Sequence, residues 1–390
     1  MDLKKLGRAT PLLIGLVVVA AIAVVAVTAA LTDTRTAEAE YPATTSAPRT
    51  AVEAEAEVKA EVVRAGVAFV PPGGADLWLG PERDPYFRIH EGVALGFLHR
   101  TDDWLLVTTT CNDTAWVNAD DVTVMPQTTR QATGAGFDLN KAVIVLDAGH
   151  GARDWGGVGP SGLSEKEVNL DITDRIRNLM ESSQDIDWAS GEITPGSTVP
   201  AFASVILTRD VVGPDEGDFE AGLGYRATLA TAAGADAFIS IHNNTVPRVD
   251  SDIPGSEVYY SIGAEDSDRL AGIIYEELLR SFSAFEADWS GGELPGARAR
   301  IDPETEDDYY GLLRRATMPS VIVEGVYISE PEEEALLATP EFRDAYAAAV
   351  YRGVVRFLTT TDTAEVNDPE YFPDDAGTVT GNGCELPAQP

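Results

Sequence analysis

The chain has 390 residues, 44% of them hydrophobic, and its 64 acidic against 28 basic side chains give a formal charge of −36. That length exceeds one compact domain and leaves room for two with linkers, and the apolar share is enough to build real cores. The charge excludes nucleic acid as a partner, because phosphate binding needs a basic face that releases counterions; the acidity reads as solubility and self-repulsion of the surface.

Residues 1–11 carry Lys4, Lys5 and Arg8, and an uncharged run from Leu12 to Leu31 follows. At about 1.5 Å per residue such a run reaches about 30 Å as a helix, which spans a bilayer. Basic residues before it, and Asp33, Glu38 and Glu40 after it, set the amino end in the cytoplasm and the rest outside. The expectation is a single-pass transmembrane anchor over 12–31 with the remainder extracytoplasmic. Secretion after signal cleavage near Ala29-Ala30 or Ala37-Glu38-Ala39 is the alternative. Residues 32–61, rich in Ala, Glu, Thr and Pro without helical or strand period, read as a disordered tether.

Over 62–127 the texture changes to short apolar runs broken by Gly, Pro and Asp: Gly66–Val70, Ala94–Leu98, Trp104–Val107 and Ala115–Val117. Strands this short and closely spaced predict a small all-β barrel. The succession of Gly92 with a strand, Asp103-Trp104 with a strand, and Thr114–Val117 before Asp120-Asp121-Val122 resembles the bacterial SH3-like domains appended to cell-wall enzymes. Trp104 and Trp116 are expected in its core rather than lining a ligand groove, and His90 and His99 are expected to be exposed or structural. Cys111 here and Cys384 in the terminal segment are the chain's two cysteines, and both a disulfide and two free thiols stay open.

Residues 139–360 alternate strands with helices. Strands are expected over Ala142–Leu146, Ser204–Thr208, Ala237–Ile241, Glu257–Ser261 and Val321–Val326, with helical stretches after 164, 220, 265, 304 and 340. This pattern predicts an α/β domain, a mainly parallel twisted sheet with helices on both faces. Ser164 as cap with Glu167 three residues on, ahead of Val168, Leu170, Ile172 and Ile176, starts the first helix at Glu165. The tail, 361–390, reads as disordered or loosely attached.

Two of the four histidines end apolar strand-like runs: His150 in Val-Ile-Val-Leu-Asp-Ala-Gly-His and His242 in Ala-Phe-Ile-Ser-Ile-His-Asn-Asn. Ligands of an open α/β sheet collect at the carboxyl ends of its strands, so this placement points to a metal site there. Glu165, at the positive end of a helix, reads either as a dipole-stabilising surface carboxylate or as part of that site. Glu324, flanked by Ile322, Val323 and Val326, is costly to bury without a partner or a task.

Four ordered segments, Ile144-Val145-Leu146-Asp147-Ala148-Gly149-His150-Gly151, Gly162–Leu170, Ser240-Ile241-His242-Asn243-Asn244 and Met318–Gly325, resemble the zinc-dependent N-acetylmuramoyl-L-alanine amidases of the amidase_3 family, over about 220 residues. The resemblance implies His150, Glu165 and His242 as the ligands of one Zn²⁺ per catalytic domain, and Glu324 as the catalytic carboxylate. It implies peptidoglycan as substrate, cleaved at the amide joining the lactyl group of N-acetylmuramic acid to L-alanine. Asp147 reads as an orienting partner for an imidazole or as a cap of the turn through Gly149. Asn243 joins it as a residue that supports a ligand or contacts substrate, and Arg226 and Arg314 either bind substrate carboxylates or pair internally. The chain departs from the family after Glu324, where Glu330 stands in place of an expected Asn and the aromatic Tyr327 is shifted. Family members differ in whether a helix covers the zinc until a protein activator removes it, and no inserted amphipathic helix reads as such a plug here. A wall-binding homologue without turnover, and a zinc peptidase acting within the stem peptide, are the alternative functions.

Overall fold

A computed structural model describes residues 65–151, 154–209, 222–245, 249–291 and 295–372. The basic segment 1–11, the expected anchor 12–31 and the tether 32–61 lie outside the described residues. No helix among the described residues is long and apolar enough to cross a membrane.

The amino-terminal part is a seven-stranded antiparallel sheet: β1 (Gly66–Phe69), β2 (Ala75–Trp78), β3 (Pro85–Ile89), β4 (Ala94–Arg100), β5 (Trp104–Thr108), β6 (Thr114–Asn118) and β7 (Thr123–Pro126), in the order β3-β2-β6-β5-β4-β1-β7. Period-2 alternation decides what it buries. Leu105 and Val107 on β5, with Ala115 and Val117 on β6, point inward, so Trp104 and Trp116 stay half-buried on the other face. The expected tryptophan core is therefore corrected: Trp104 stacks edge-on to Trp78 at 5.4 Å and Trp116 faces His99 at 6.0 Å, outside the apolar cluster.

The second part is built on a six-stranded sheet of β8 (Val143–Ala148), β9 (Ser204–Leu207), β10 (Ala237–Asn244), β11 (Glu257–Tyr260), β12 (Gly296–Arg298) and β13 (Ser320–Tyr327), in the order β9-β8-β10-β13-β11-β12. The first four pair parallel; β11 runs antiparallel to β13 and parallel to β12. Side chains alternate across it. Ile144, Leu146, Ile239, Ile241, Val321 and Val323 pack under helices α1 (Glu165–Met180), α3 (Ser267–Phe282) and α5 (Pro340–Thr359). Val143, Val145, Phe238 and Ile322 face α2 (Leu223–Ala233), which is itself covered by the antiparallel sheet; a short α4 (Pro331–Leu337) precedes α5. Helices thus lie on both faces of a mixed, mainly parallel sheet.

The two parts share one apolar cluster, in which Tyr225 and Leu229 of α2 meet Val67, Leu95, Phe97 and Val107. Polar contacts reinforce the joint: the Tyr225 hydroxyl donates to Ala94 O at 2.6 Å, and the Tyr225 amide donates to Asn112 Oδ1 at 2.8 Å. Cys111, beside that turn, is disulfide-bonded, and the other cysteine, Cys384, lies outside the described residues.

Three expectations are revised. Residues after 304 form no regular α-helix: Asp302 Oδ1 accepts the amides of Glu304 and Thr305 in a turn, and only Leu313–Arg315 makes a 3-10 turn. Helix α1 starts at Glu165 as expected, but Ser164 makes no side-chain cap and its hydroxyl lies 3.5 Å from Trp155 O. The tail is attached as far as Phe372, since the amides of Asn367, Glu370 and Phe372 donate to Ala297, Ala299 and Ile301 as an added short strand.

Candidate metal centre and active site

The chain reverses out of β8 through Gly149 and His150. A Cβ at Gly149 would lie 2.3 Å from the His242 ring, so only glycine lets that imidazole approach. His150 adopts a left-handed backbone with φ 63°, a conformation that costs a non-glycine residue energy and that concentrates at functional sites. Two arginines hold this strand end: Arg226 donates to Ala148 O at 3.0 Å and His150 O at 2.8 Å, and Arg209 donates to Ala148 O, Gly149 O and Lys166 O at 2.9, 3.1 and 2.6 Å.

The Glu165 carboxylate, 2% exposed, lies between the two imidazoles. One oxygen is 3.1 Å from His150 Nε2 and accepts the Gly157 amide at 2.7 Å; the other is 3.1 Å from His242 Nδ1 and accepts the Asn243 amide and the Asn169 side-chain amide at 3.1 and 3.2 Å. The ligand atoms of His150, Glu165 and His242 all fall within 4.8 Å of one another. Two nitrogens and one carboxylate oxygen, converging from three elements, form the set a catalytic zinc takes while leaving a position open. His150 and Glu165 also have outer partners of the kind that fixes metal ligands. Asp154 Oδ2 lies 2.8 Å from His150 Nδ1, and Asn169 and backbone amides hold Glu165.

These contacts set the charge states. Burial pulls the His150 imidazole down, but its contacts with Asp154 and Glu165 outweigh that and hold it at about 10. Burial would raise Glu165, yet the imidazoles keep it far below the ordinary carboxylate range. A cation at this centre would displace the proton that His150 holds.

Glu324 stands next to His242 on the neighbouring strand, their Cα atoms paired in register, and Glu257 pairs with Glu324 from the other side. Burial, then the charges of Glu165 and Glu257, push the Glu324 carboxyl well above the ordinary range. Among the described residues its Oε2 is buried without a hydrogen-bond partner. Glu257 is by contrast fully engaged: Arg298 pairs with one oxygen, and Asn244 Nδ2 and the Tyr259 hydroxyl donate to the other at 2.6 and 2.7 Å.

The remaining expected site residues have structural placements. Asp147, 1% exposed, accepts from Thr208, from Ser240 at 2.6 Å and from Arg226; the partner of His150 is Asp154. Burial would raise Asp147, but the Arg226 charge and the two hydroxyls hold it low. Arg226 pairs internally, and Asn243 is buried with its side-chain amide on Asn169 Oδ1 at 3.0 Å. Arg314 lies on the 3-10 turn with Asp302 at 3.9 Å. Sequence reasoning missed Asp154, Asn169, Glu257 and Glu334. Glu334 accepts the amides of Ser161 and Leu163 at 2.8 and 3.1 Å and so pins the turn between His150 and Glu165. A polar residue inside the strand Glu-Val-Tyr-Tyr was the signal available for Glu257.

Residues 144–356 match the family Amidase_3, N-acetylmuramoyl-L-alanine amidase. The chain is similar to the germination-specific N-acetylmuramoyl-L-alanine amidase of Bacillus subtilis, with 26% identity over 57% of this chain and 81% of that protein. It is also similar to N-acetylmuramoyl-L-alanine amidase AmiA of Escherichia coli, with 30% identity over 58% of this chain and 80% of that one. Among solved structures, AmiC2 of Nostoc punctiforme matches with 29% identity and a TM-score of 0.41, over 58% of this chain and 99% of that chain. The motifs, the converging His150, Glu165 and His242, and the match over more than half of its length agree: the chain belongs to the Amidase_3 family of N-acetylmuramoyl-L-alanine amidases.

Proposed function

We propose that this chain is a zinc-dependent hydrolase of peptidoglycan that cuts the amide between the lactyl group of N-acetylmuramic acid and L-alanine, with Glu324 as its proton carrier. One observation carries the reading: a buried carboxylate held between two imidazoles stands beside a half-buried one whose Oε2 is itself buried without a hydrogen-bond partner.

His150, Glu165 and His242 would hold the zinc, which when bound supplies a Lewis acid and lowers the pKa of water. Glu324 Oε2 takes a proton from the attacking water as its oxygen bonds to the lactyl carbonyl carbon. Glu324 then returns that proton to the departing nitrogen as the C–N bond breaks, giving a lactyl carboxylate and the free amine of L-alanine. Burial serves this shuttle, because a carboxyl held above its ordinary range takes the water's proton more readily. Glu257, paired with Arg298 and hydrogen-bonded by Asn244 and Tyr259, lies beside Glu324 and its charge helps hold the Glu324 carboxyl high. Asp154 fixes the His150 ring, and Arg226 and Arg209 fix the backbone beneath it.

The basic residues ahead of the apolar run at 12–31 support a membrane-anchored protein whose catalytic part meets the wall outside the cell. The short antiparallel strands support an SH3-like identity for residues 62–127, here built onto the catalytic part through α2.

Product analysis tests the bond. The full chain, zinc-loaded and incubated with intact peptidoglycan, should release stem peptides that begin with L-alanine and leave free lactyl carboxylates on the glycan. Fragments cut within the stem peptide would instead assign a peptidase, and bound zinc without release would assign a binding role.

A further inference from the structure

The loop between His150 and Glu165 carries a large apolar side chain that the hydrolytic chemistry does not use. Trp155 is 52% exposed, and Val158 on the same loop is 56% exposed. Exposed apolar surface beside a reaction centre is characteristic of ligand contact.

Trp155 is fixed rather than loose. Its carbonyl accepts the Lys166 amide at 3.2 Å, and the Lys166 ammonium sits 3.8 Å from the ring centroid. On one side of it Asp154 bonds His150; on the other the Gly157 amide bonds Glu165. A Cβ at Gly156 would lie 2.5 Å from Glu165 Oε2, so this backbone runs against the metal-ligating carboxylate. The indole therefore stands at the rim of the centre, one face covered by a cation and much of its remaining surface in solvent. An aromatic ring ordered before binding loses little entropy when a ligand arrives.

The chemistry of the rim selects the occupant. Residues 155–163, Trp-Gly-Gly-Val-Gly-Pro-Ser-Gly-Leu, contain no ionisable side chain, and Asp154 is committed to His150. The stem peptide bears free carboxylates, for which residues 155–163 offer no cation, and the Lys166 ammonium beside them is 3% exposed and held against the indole face. The sugars are uncharged at their rings and offer apolar C–H faces that lie flat on an indole. Resting on the amidase reading above, we propose that Trp155 is a saccharide platform, on which the pyranose ring beside the scissile amide stacks and sets the glycan strand against the metal centre.

The test separates this platform from the amidase reading by measuring binding without turnover. The probes are a peptide-free tetrasaccharide of alternating N-acetylglucosamine and N-acetylmuramic acid, and a sugar-free lactyl stem peptide, each titrated into the full zinc-loaded chain. Trp155→Ala should weaken the tetrasaccharide by about tenfold, equivalent to ~1.4 kcal/mol, and Trp155→Phe by only about threefold. Peptide affinity and zinc content should stay as in the parent. On intact peptidoglycan the Ala variant should raise KM with kcat within about twofold of the parent, the pattern of lost ground-state binding. Equal tetrasaccharide affinity in parent and variant, no tetrasaccharide binding by the parent, a loss confined to the peptide, or a fall in zinc content would each overturn the platform. A parent that binds the sugar but cleaves nothing would sink the amidase reading and leave the platform standing.

Discussion

Replacing Asp147 with Asn is the sharpest probe of how this fold supports its centre. The carboxylate is 1% exposed, accepts from Thr208 and Ser240, and balances the buried guanidinium of Arg226. Asp147→Asn keeps the shape but removes the charge that pairs with the buried Arg226 guanidinium. Breaking a buried pair from one side costs about 3–5 kcal/mol. Against a whole-domain stability of about 5–15 kcal/mol that is a large share. Urea unfolding of the zinc-free chain should show a lower midpoint at unchanged slope. Arg226→Met should be costly too, while the double variant should lose clearly less than the sum, by about 1–3 kcal/mol, because both single changes remove the same Asp147–Arg226 interaction. Arg226 also donates to the His150 carbonyl, so zinc affinity should fall in both single variants. A loss under about 1 kcal/mol for Asp147→Asn, or strict additivity, would refute the buried pair as the anchor of this strand end.

Other consequences follow from single contacts. Asp154→Ala removes the partner of His150 Nδ1 at 2.8 Å and should weaken zinc by about 10- to 100-fold in a chelator competition; unchanged affinity would count against the outer-shell role. Tyr225→Phe deletes the hydroxyl contact to Ala94 O and should cost about 0.5–1.5 kcal/mol, lowering one shared calorimetric transition; early melting of residues 65–126 alone would contradict the common core. Burial lifts the Glu333 carboxyl from 4.5 to about 7 even though it accepts the amides of Tyr327 and Ser290. The folded chain then holds that proton more tightly than the unfolded one, so this group's contribution is greatest below about pH 4.5, falls as pH rises through 7, and is flat above. The full span is at most ~3.4 kcal/mol, and urea midpoints at pH 5 and 8 should differ less in Glu333→Gln than in the parent; identical pH dependence would rule the group out.

What could be read in advance was what repeats locally. Apolar runs ending in His150 and His242 announced strands, and their ends fell together because parallel strands deliver their carboxyl termini to one edge. Glu165 as the first helical residue followed from helix-start chemistry, although Ser164 does not cap as that pattern suggests. Contacts between distant segments were not legible. Glu257 and Arg298 find each other only because β11 runs against β13 and beside β12. Trp104 and Trp116 were expected inside, yet strand alternation turns them out once Leu105 and Val117 claim the interior. β2, β3 and β7 went unread because Asp76, Pro85, Arg88 and Pro126 interrupt their apolar pattern. The stretch after 304 carries helix-favouring Glu residues, but the Asp302 turn and the packing of Tyr309 and Tyr310 decide its path.

The reaction proposed above turns on Glu324 as proton carrier beside His150, Glu165 and His242. The most direct measurement compares zinc content and peptide-release rate of the parent and Glu324→Gln on intact peptidoglycan. Equal zinc and a rate lower by about 10²–10⁴-fold are expected in the variant. A variant that releases peptides at nearly the parent rate, or one that loses its zinc, would contradict it.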